Sequence, residues 1–173
     1  MAKKYINKRK VKRTVSEQLL NGKSKSEILT ELEDIYYEKD ILIKIIVGTP
    51  SPEIRKKLNL LNTVLGIAAI AIVIFRFQVF GIDYVGSGLT LLTLILGISV
   101  FSYEALSYRL ISLLCLITLI RYFMNYEANI FLLVDFGLTV VIITLGLYLG
   151  TKLFPNYGVL GPKKDNDGKP IID

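Results

Sequence analysis

The chain has 173 residues, 52% of them hydrophobic, with a mean hydropathy of +0.50 and a formal net charge of +6. It contains no His and a single Cys, Cys115. Those two facts exclude His-based catalytic triads and dyads, HExxH zinc sites, His-ligated haem, disulfides within the chain and paired-Cys metal sites. Phosphate-loop and dinucleotide fingerprints are absent too, since Gly86-Ser87-Gly88 lacks both a preceding strand and a third glycine at the right spacing.

Composition changes sharply near Leu58. Residues 1–57 hold 14 of the 21 Lys and Arg and 8 of the 15 Asp and Glu. Within them, residues 1–13 form a basic N-terminal tail containing Lys3, Lys4, Lys8, Arg9, Lys10, Lys12 and Arg13. No apolar core follows it before Leu58, so it is not the n-region of a signal peptide. Anionic lipid is the expected contact of residues 3–13, with a disordered solubilising tail as the plain alternative.

Residues 14–57 are expected to form a cytoplasmic helical segment. Thr14-Val15-Ser16-Glu17 and Ser24-Lys25-Ser26-Glu27 are both capping-box patterns, and Asn21-Gly22 is a stop signal between them. The second helix is predicted to run from about Lys25 to Ile46. On it, Ile28, Leu32, Ile35, Leu42 and Ile46 recur at helical spacing and form a candidate partner-binding stripe. A helix-turn-helix reading of Val15–Leu32 is opposed by Glu27, Glu31, Glu33 and Asp34, which nucleic-acid phosphates repel, so no nucleic acid is expected. Gly48–Glu53 breaks the chain, and Ser51-Pro52 starts a third helix that continues into the first apolar block.

Four apolar blocks follow: Leu58–Phe75, Val85–Tyr103, Ala105–Met124 and Ala128–Thr151. Each approaches the roughly 20 residues needed to cross a bilayer. The third has a charge-free centre of only Leu110–Ile120, so a re-entrant segment competes with a full span there, in which Arg109 and Arg121 snorkel to the two interfaces. Cys115 lies in that centre and reads as a small buried hydrophobe. The predicted fold is thus an all-α integral membrane protein: a four-helix transmembrane bundle over residues 58–153, a helical N-terminal extension, and a polar C-terminal tail over 154–173.

Placing the N-terminus inside puts 19 of the 21 Lys and Arg on the cytoplasmic side, with only Arg76 and Arg121 in the outer turns. Both termini are therefore expected in the cytoplasm of a multi-pass inner-membrane protein. Aromatic residues such as Phe75, Phe77, Tyr122 and Phe123 cluster at the predicted outer ends, as interfacial belts do.

Asp135 is the one acid well inside a block. It lies seven residues after the last outer turn, and Arg121 lies seven before it, so Arg121 and Asp135 are the candidate intramembrane charge pair. Arg76 with Asp83 and Glu104 with Arg109 are expected to be interfacial pairs. Gly146 and Gly150 form a GxxxG helix-packing candidate. Asn59 and Asn62 are expected to be hydrogen-bonding groups at the inner end of the first span. Asp165-Asn166-Asp167-Gly168 lacks the further ligands of a calcium loop and reads as a reverse turn that closes a small hairpin.

No metal, cofactor or catalytic activity is expected, because no acids, bases or metal ligands converge. The organisation resembles that of small bacterial inner-membrane proteins, which implies no activity. Two functions remain in view. One is a scaffold or interaction protein that binds a protein partner or another copy through its stripe. The other is a small oligomeric channel, transporter or membrane-disrupting effector with Asp135 on the path.

Overall fold

The structure, a computed structural model, describes residues 4–80, 84–125, 130–158 and 161–173. Among them are seven helices: α1 (Lys8–Leu20), α2 (Lys25–Glu33), α3 (Lys39–Val47), α4 (Pro52–Phe80), α5 (Tyr84–Phe101), α6 (Ala105–Asn125) and α7 (Ile130–Leu153). The chain divides into two compact units. One comprises Met1–Lys57 with Thr151–Asp173, and the other Leu58–Gly150.

In the first unit, α1 begins earlier than the Thr14 capping box predicts. Asn7 is the N-cap, and its side chain accepts from the Lys10 amide at 3.2 Å. Most of the basic tail is therefore helical, which puts Val11 one turn before Val15 on a buried face. The helix closes at Asn21-Gly22. Gly22 adopts φ +82°, the Lys23 amide bonds to Gln18 O at 3.2 Å and the Gly22 amide to Leu19 O at 3.1 Å, which satisfies the last carbonyls. At Ser24 the capping box forms reciprocally with Glu27.

The predicted helix over Lys25–Ile46 is two helices. Asp34–Glu38 interrupts it, and residues 35–37 pair with the chain start instead: the Lys4 amide bonds to Ile35 O at 2.8 Å and the Tyr37 amide to Lys4 O at 3.3 Å. The physical reason is core formation. One straight helix sets Ile28 and Leu42 about 21 Å apart along its axis, at about 1.5 Å per residue. Folding back at residues 34–38 lets Ile28, Leu32, Leu42 and Ile46 close on Val11 and Val15 as a single buried cluster.

The C-terminal residues join this unit rather than forming a free polar tail. Ile172 packs on the cluster, and the Asp173 carboxylate accepts from the Lys25 and Ser26 amides at 2.9 and 3.2 Å. A carboxylate there meets unpaired N–H groups of the first turn of α2. Asp165–Gly168 forms the expected turn, with Gly168 at φ +77° and a bridge between Lys164 and Pro170.

In the second unit, α5, α6 and α7 are unbroken over 18, 21 and 24 residues. Two helices are long and apolar enough to cross a membrane, Pro52–Val79 and Ile130–Leu153, with mean hydropathy 2.3 and 2.5. The unit buries polar groups within an apolar interior and exposes large apolar side chains outside. Asn62, Arg76, Thr90, Thr93, Ser112, Thr118, Asp135 and Thr139 are buried. Leu60 and Ile67 on α4, Leu92 and Ile95 on α5, Leu113 and Ile120 on α6, and Leu133 and Leu147 on α7 are exposed.

Candidate functional site

The most concentrated polar chemistry lies inside the second unit. α4 continues one turn beyond Arg76, so the guanidinium is interior, with 1% of Arg76 and 0% of Asp135 exposed. Arg76 Nε donates to Asp135 Oδ1 at 2.7 Å and Nη2 to Asp135 Oδ2 at 3.2 Å, a two-pronged pair. Nη2 also donates to Thr139 Oγ1 at 3.0 Å. Thr139 is one turn after Asp135, so both reach the same side of α7. The buried Cys115 thiol on α6 and Thr93 on α5 complete the surroundings, so all four helices contribute.

The partner of Asp135 is thus Arg76 and not Arg121, which corrects the pairing expected from depth alone. Matching Arg121 with Asp135 about a hairpin fixes height along the helix but leaves direction around it open. Ile111, Cys115 and Thr118 mark the buried face of α6. At about 100° per residue Arg121 is turned some 120° from Cys115. Arg76 instead continues the buried series Leu65, Ala69, Ile72 at spacings of four, three and four. Asp135 belongs to the matching series Leu132, Asp135, Thr139, Ile142, Gly146, Leu149. Those two periodicities were the available signal. The expected Arg76 partner, Asp83, lies outside the described residues.

A second polar cluster joins α4 to the α5–α6 turn. Asn62 Nδ2 donates to Val100 O at 3.2 Å, and Asn62 Oδ1 accepts from the Tyr108 hydroxyl. The Tyr103 hydroxyl donates to Asn59 Oδ1 at 2.8 Å, from a residue whose φ of +53° turns the chain between the helices. Both asparagines are hydrogen-bonding groups, as their positions suggested.

Gly146 and Gly150 face α6 within the chain. A Cβ at Gly146 meets the Tyr108 carbonyl oxygen at 2.9 Å as well as the Ser112 hydroxyl, and one at Gly150 meets Tyr108 Cβ at 3.2 Å. Ser112 Oγ donates to Tyr108 O at 3.0 Å in the space these glycines leave.

The candidate partner-binding stripe is not a surface. Ile28, Leu32, Leu42 and Ile46 are buried in the first unit's own core, filled by Val11 and Val15, and only Ile35 is outside, 43% exposed. A helix starting at Thr14 leaves out Val11, which is why the stripe reads as unfilled in the sequence. The Asp165 carboxylate is used within its turn, accepting from the Asp167 and Lys169 amides at 3.0 and 2.8 Å. Among the described residues no group of three or more His, Cys, Asp or Glu is arranged to hold a metal.

Among the described residues of the first unit, Glu31 and Lys25 depart from their ordinary pKa. Glu31 is lowered, chiefly by its hydrogen bond from Lys23. Lys25 is lowered by burial, against an opposing pull from Asp173, while its Nζ donates to Val47 O at 3.2 Å.

No family model, no curated protein and no solved structure matches the chain.

Proposed function

We propose that this chain is a non-enzymatic, four-span integral membrane protein whose bundle anchors a small folded cytoplasmic module. The carrying observation is the partition of the second unit. Large apolar side chains are exposed on all four helices, while Arg76, Asp135, Asn62 and several Thr are buried among apolar residues such as Leu65, Ile72, Ile111 and Leu132. Soluble monomers rarely carry large apolar patches, so exposed apolar side chains on every helix of the unit favour a lipid surrounding over water. In a bilayer such a surface is matched to the lipid, and the polar groups gain by pairing with one another. The charge distribution supports a cytoplasmic N-terminus and C-terminus.

Within this reading the Arg76–Asp135 pair is a staple between α4 and α7. A pore or transporter role for Asp135 requires a carboxylate able to exchange a proton or cation. Here both of its oxygens accept from Arg76, which favours the structural role. The module, with its interior filled, offers a partner its outer residues and not the stripe.

Topology is tested in a Cys115→Ser background with single cysteines introduced as Ser24→Cys, Asp83→Cys, Ser102→Cys and Asn129→Cys. An impermeant maleimide added to intact cells is expected to label positions 83 and 129 alone. Labelling at position 102, or protection of both 83 and 129, sinks the four-span arrangement.

A further inference from the structure

The first unit carries an exposed aromatic pair that its core does not use. Tyr5 is 83% and Tyr37 60% exposed, with ring centroids 6.1 Å apart. They are held as a pair by the backbone pairing of Lys4 with residues 35–37. Beside them in the chain, Lys4, Lys8, Arg9 and Lys10 are all exposed, whereas the Arg13 charge is met locally by Glu17 at 2.9 Å. Val11 and Val15 turn inward, so α1 offers cations but no apolar stripe to a partner. Exposed Ile35 adds apolar area next to Tyr37. Of the acids near Tyr37, Glu33 pairs with Lys39 at 2.9 Å and Glu38 accepts from the Ile6 amide at 2.9 Å, while Asp34 and Asp40 are exposed.

We propose that Tyr5 and Tyr37, with the cations of Lys4, Lys8, Arg9 and Lys10, form a docking surface for an anionic lipid headgroup layer. Tyrosine suits that layer because its ring enters the interface while its hydroxyl stays wet. Lys and Arg beside it meet lipid phosphates. Lipid is favoured over other occupants because the chain supplies its own bilayer-crossing helices, so the surface is tethered near a membrane at high effective concentration. The inference rests on the membrane reading above.

The chain has no Trp, so Tyr37→Trp introduces a single reporter. The full chain is reconstituted in phosphatidylcholine bilayers and in bilayers rich in phosphatidylglycerol, each with brominated acyl chains. The expected result is blue-shifted, bromine-quenched emission in the anionic bilayers only, abolished by high salt. In the triple variant Lys8→Gln, Arg9→Gln, Lys10→Gln, the ratio of docked to free reporter is expected to fall about fivefold for each cation removed. Helical circular dichroism checks that the triple variant is folded, and Tyr5→Trp repeats the test if Tyr37→Trp does not fold.

Water-exposed emission in both bilayers overturns the proposal, as does a blue shift that is indifferent to lipid charge and grows with protein density, which marks a second copy. Quenching that survives the triple substitution also overturns it. Liposome flotation separates the two readings. A chain that does not insert defeats the membrane reading, whereas an inserted chain with a wet reporter defeats only this one.

Discussion

The guanidinium of Arg76 grips the carboxylate of Asp135 across 59 residues of sequence, with Nε 2.7 Å from Oδ1 and both side chains fully enclosed. Each charge is costly alone, because burial strips it of water. Removing one partner strands the other, so Arg76→Gln and Asp135→Asn are each expected to destabilise by about 3–5 kcal/mol. The double variant is expected to be more stable than the summed singles by at least about 1 kcal/mol, measured by unfolding in bicelles. Arg121→Gln combined with Asp135→Asn is expected to be additive. Coupling at Arg121 and additivity at Arg76 would refute the assignment.

The glycines of α7 rank by what surrounds them. Gly146→Ala drives a methyl against the Tyr108 carbonyl, which is backbone and cannot rotate away. A loss of about 1–3 kcal/mol is expected. Gly150→Ala has a 3.2 Å contact and is expected to lose less. A methyl at Gly137 meets nothing within 4 Å, so Gly137→Ala is expected to be neutral or to stabilise by up to about 1 kcal/mol. Equal effects at positions 137 and 146 would argue against the α6–α7 contact.

In the first unit, Ile28→Ala opens a cavity in a fully buried cluster and is expected to cost about 2–5 kcal/mol. Ile35→Ala, at an exposed position of the same sequence pattern, is expected to stay within about 0.5 kcal/mol. Thermal unfolding distinguishes the two, and similar losses at both positions would mean that one continuous stripe is buried after all.

Asp173→Ala removes an acceptor from two amides of the first turn of α2. A loss of about 0.5–2 kcal/mol is expected, the range of helix N-capping groups. Hydrogen exchange at residues 25 and 26 is expected to quicken while that at the centre of α6 is unchanged. Unaltered exchange at both amides counts against docking of the C-terminal residues.

The pH dependence of Glu31 follows from its bonds to Lys23 and Gln18. Its folded pKa lies below the ordinary 4.5, so its contribution is present above pH 4.5 and is lost as pH falls through the lowered value. NMR titration is expected to place the Glu31 midpoint below 4.5, and Lys23→Met to raise it. A midpoint that does not move in Lys23→Met removes the ion pair as the cause.

Much of this architecture was legible in the chain because its signals are local. The apolar blocks, the Ser24-Glu27 box, the Asn21-Gly22 stop and the Asp165–Gly168 turn each depend on residues within a few positions of one another, and each forms. The extent of α1 was less legible, since Asn7 and Thr14 are both acceptable starts by local rules. Burial of Val11 decided between them.

Composition and spacing alone determined the absence of His chemistry, the helical class, the four apolar blocks and the positive bias of the N-terminal third. Tertiary structure alone decided which charges meet, what fills the Ile28–Ile46 pattern and where residue 173 binds. The reason is that a hydropathy pattern specifies how far along a helix a residue sits and how apolar its neighbourhood must be. It does not specify which face of which other helix that residue will meet. Direction around the axis is set only when all the faces pack at once, and that choice moved Asp135 from Arg121 to Arg76.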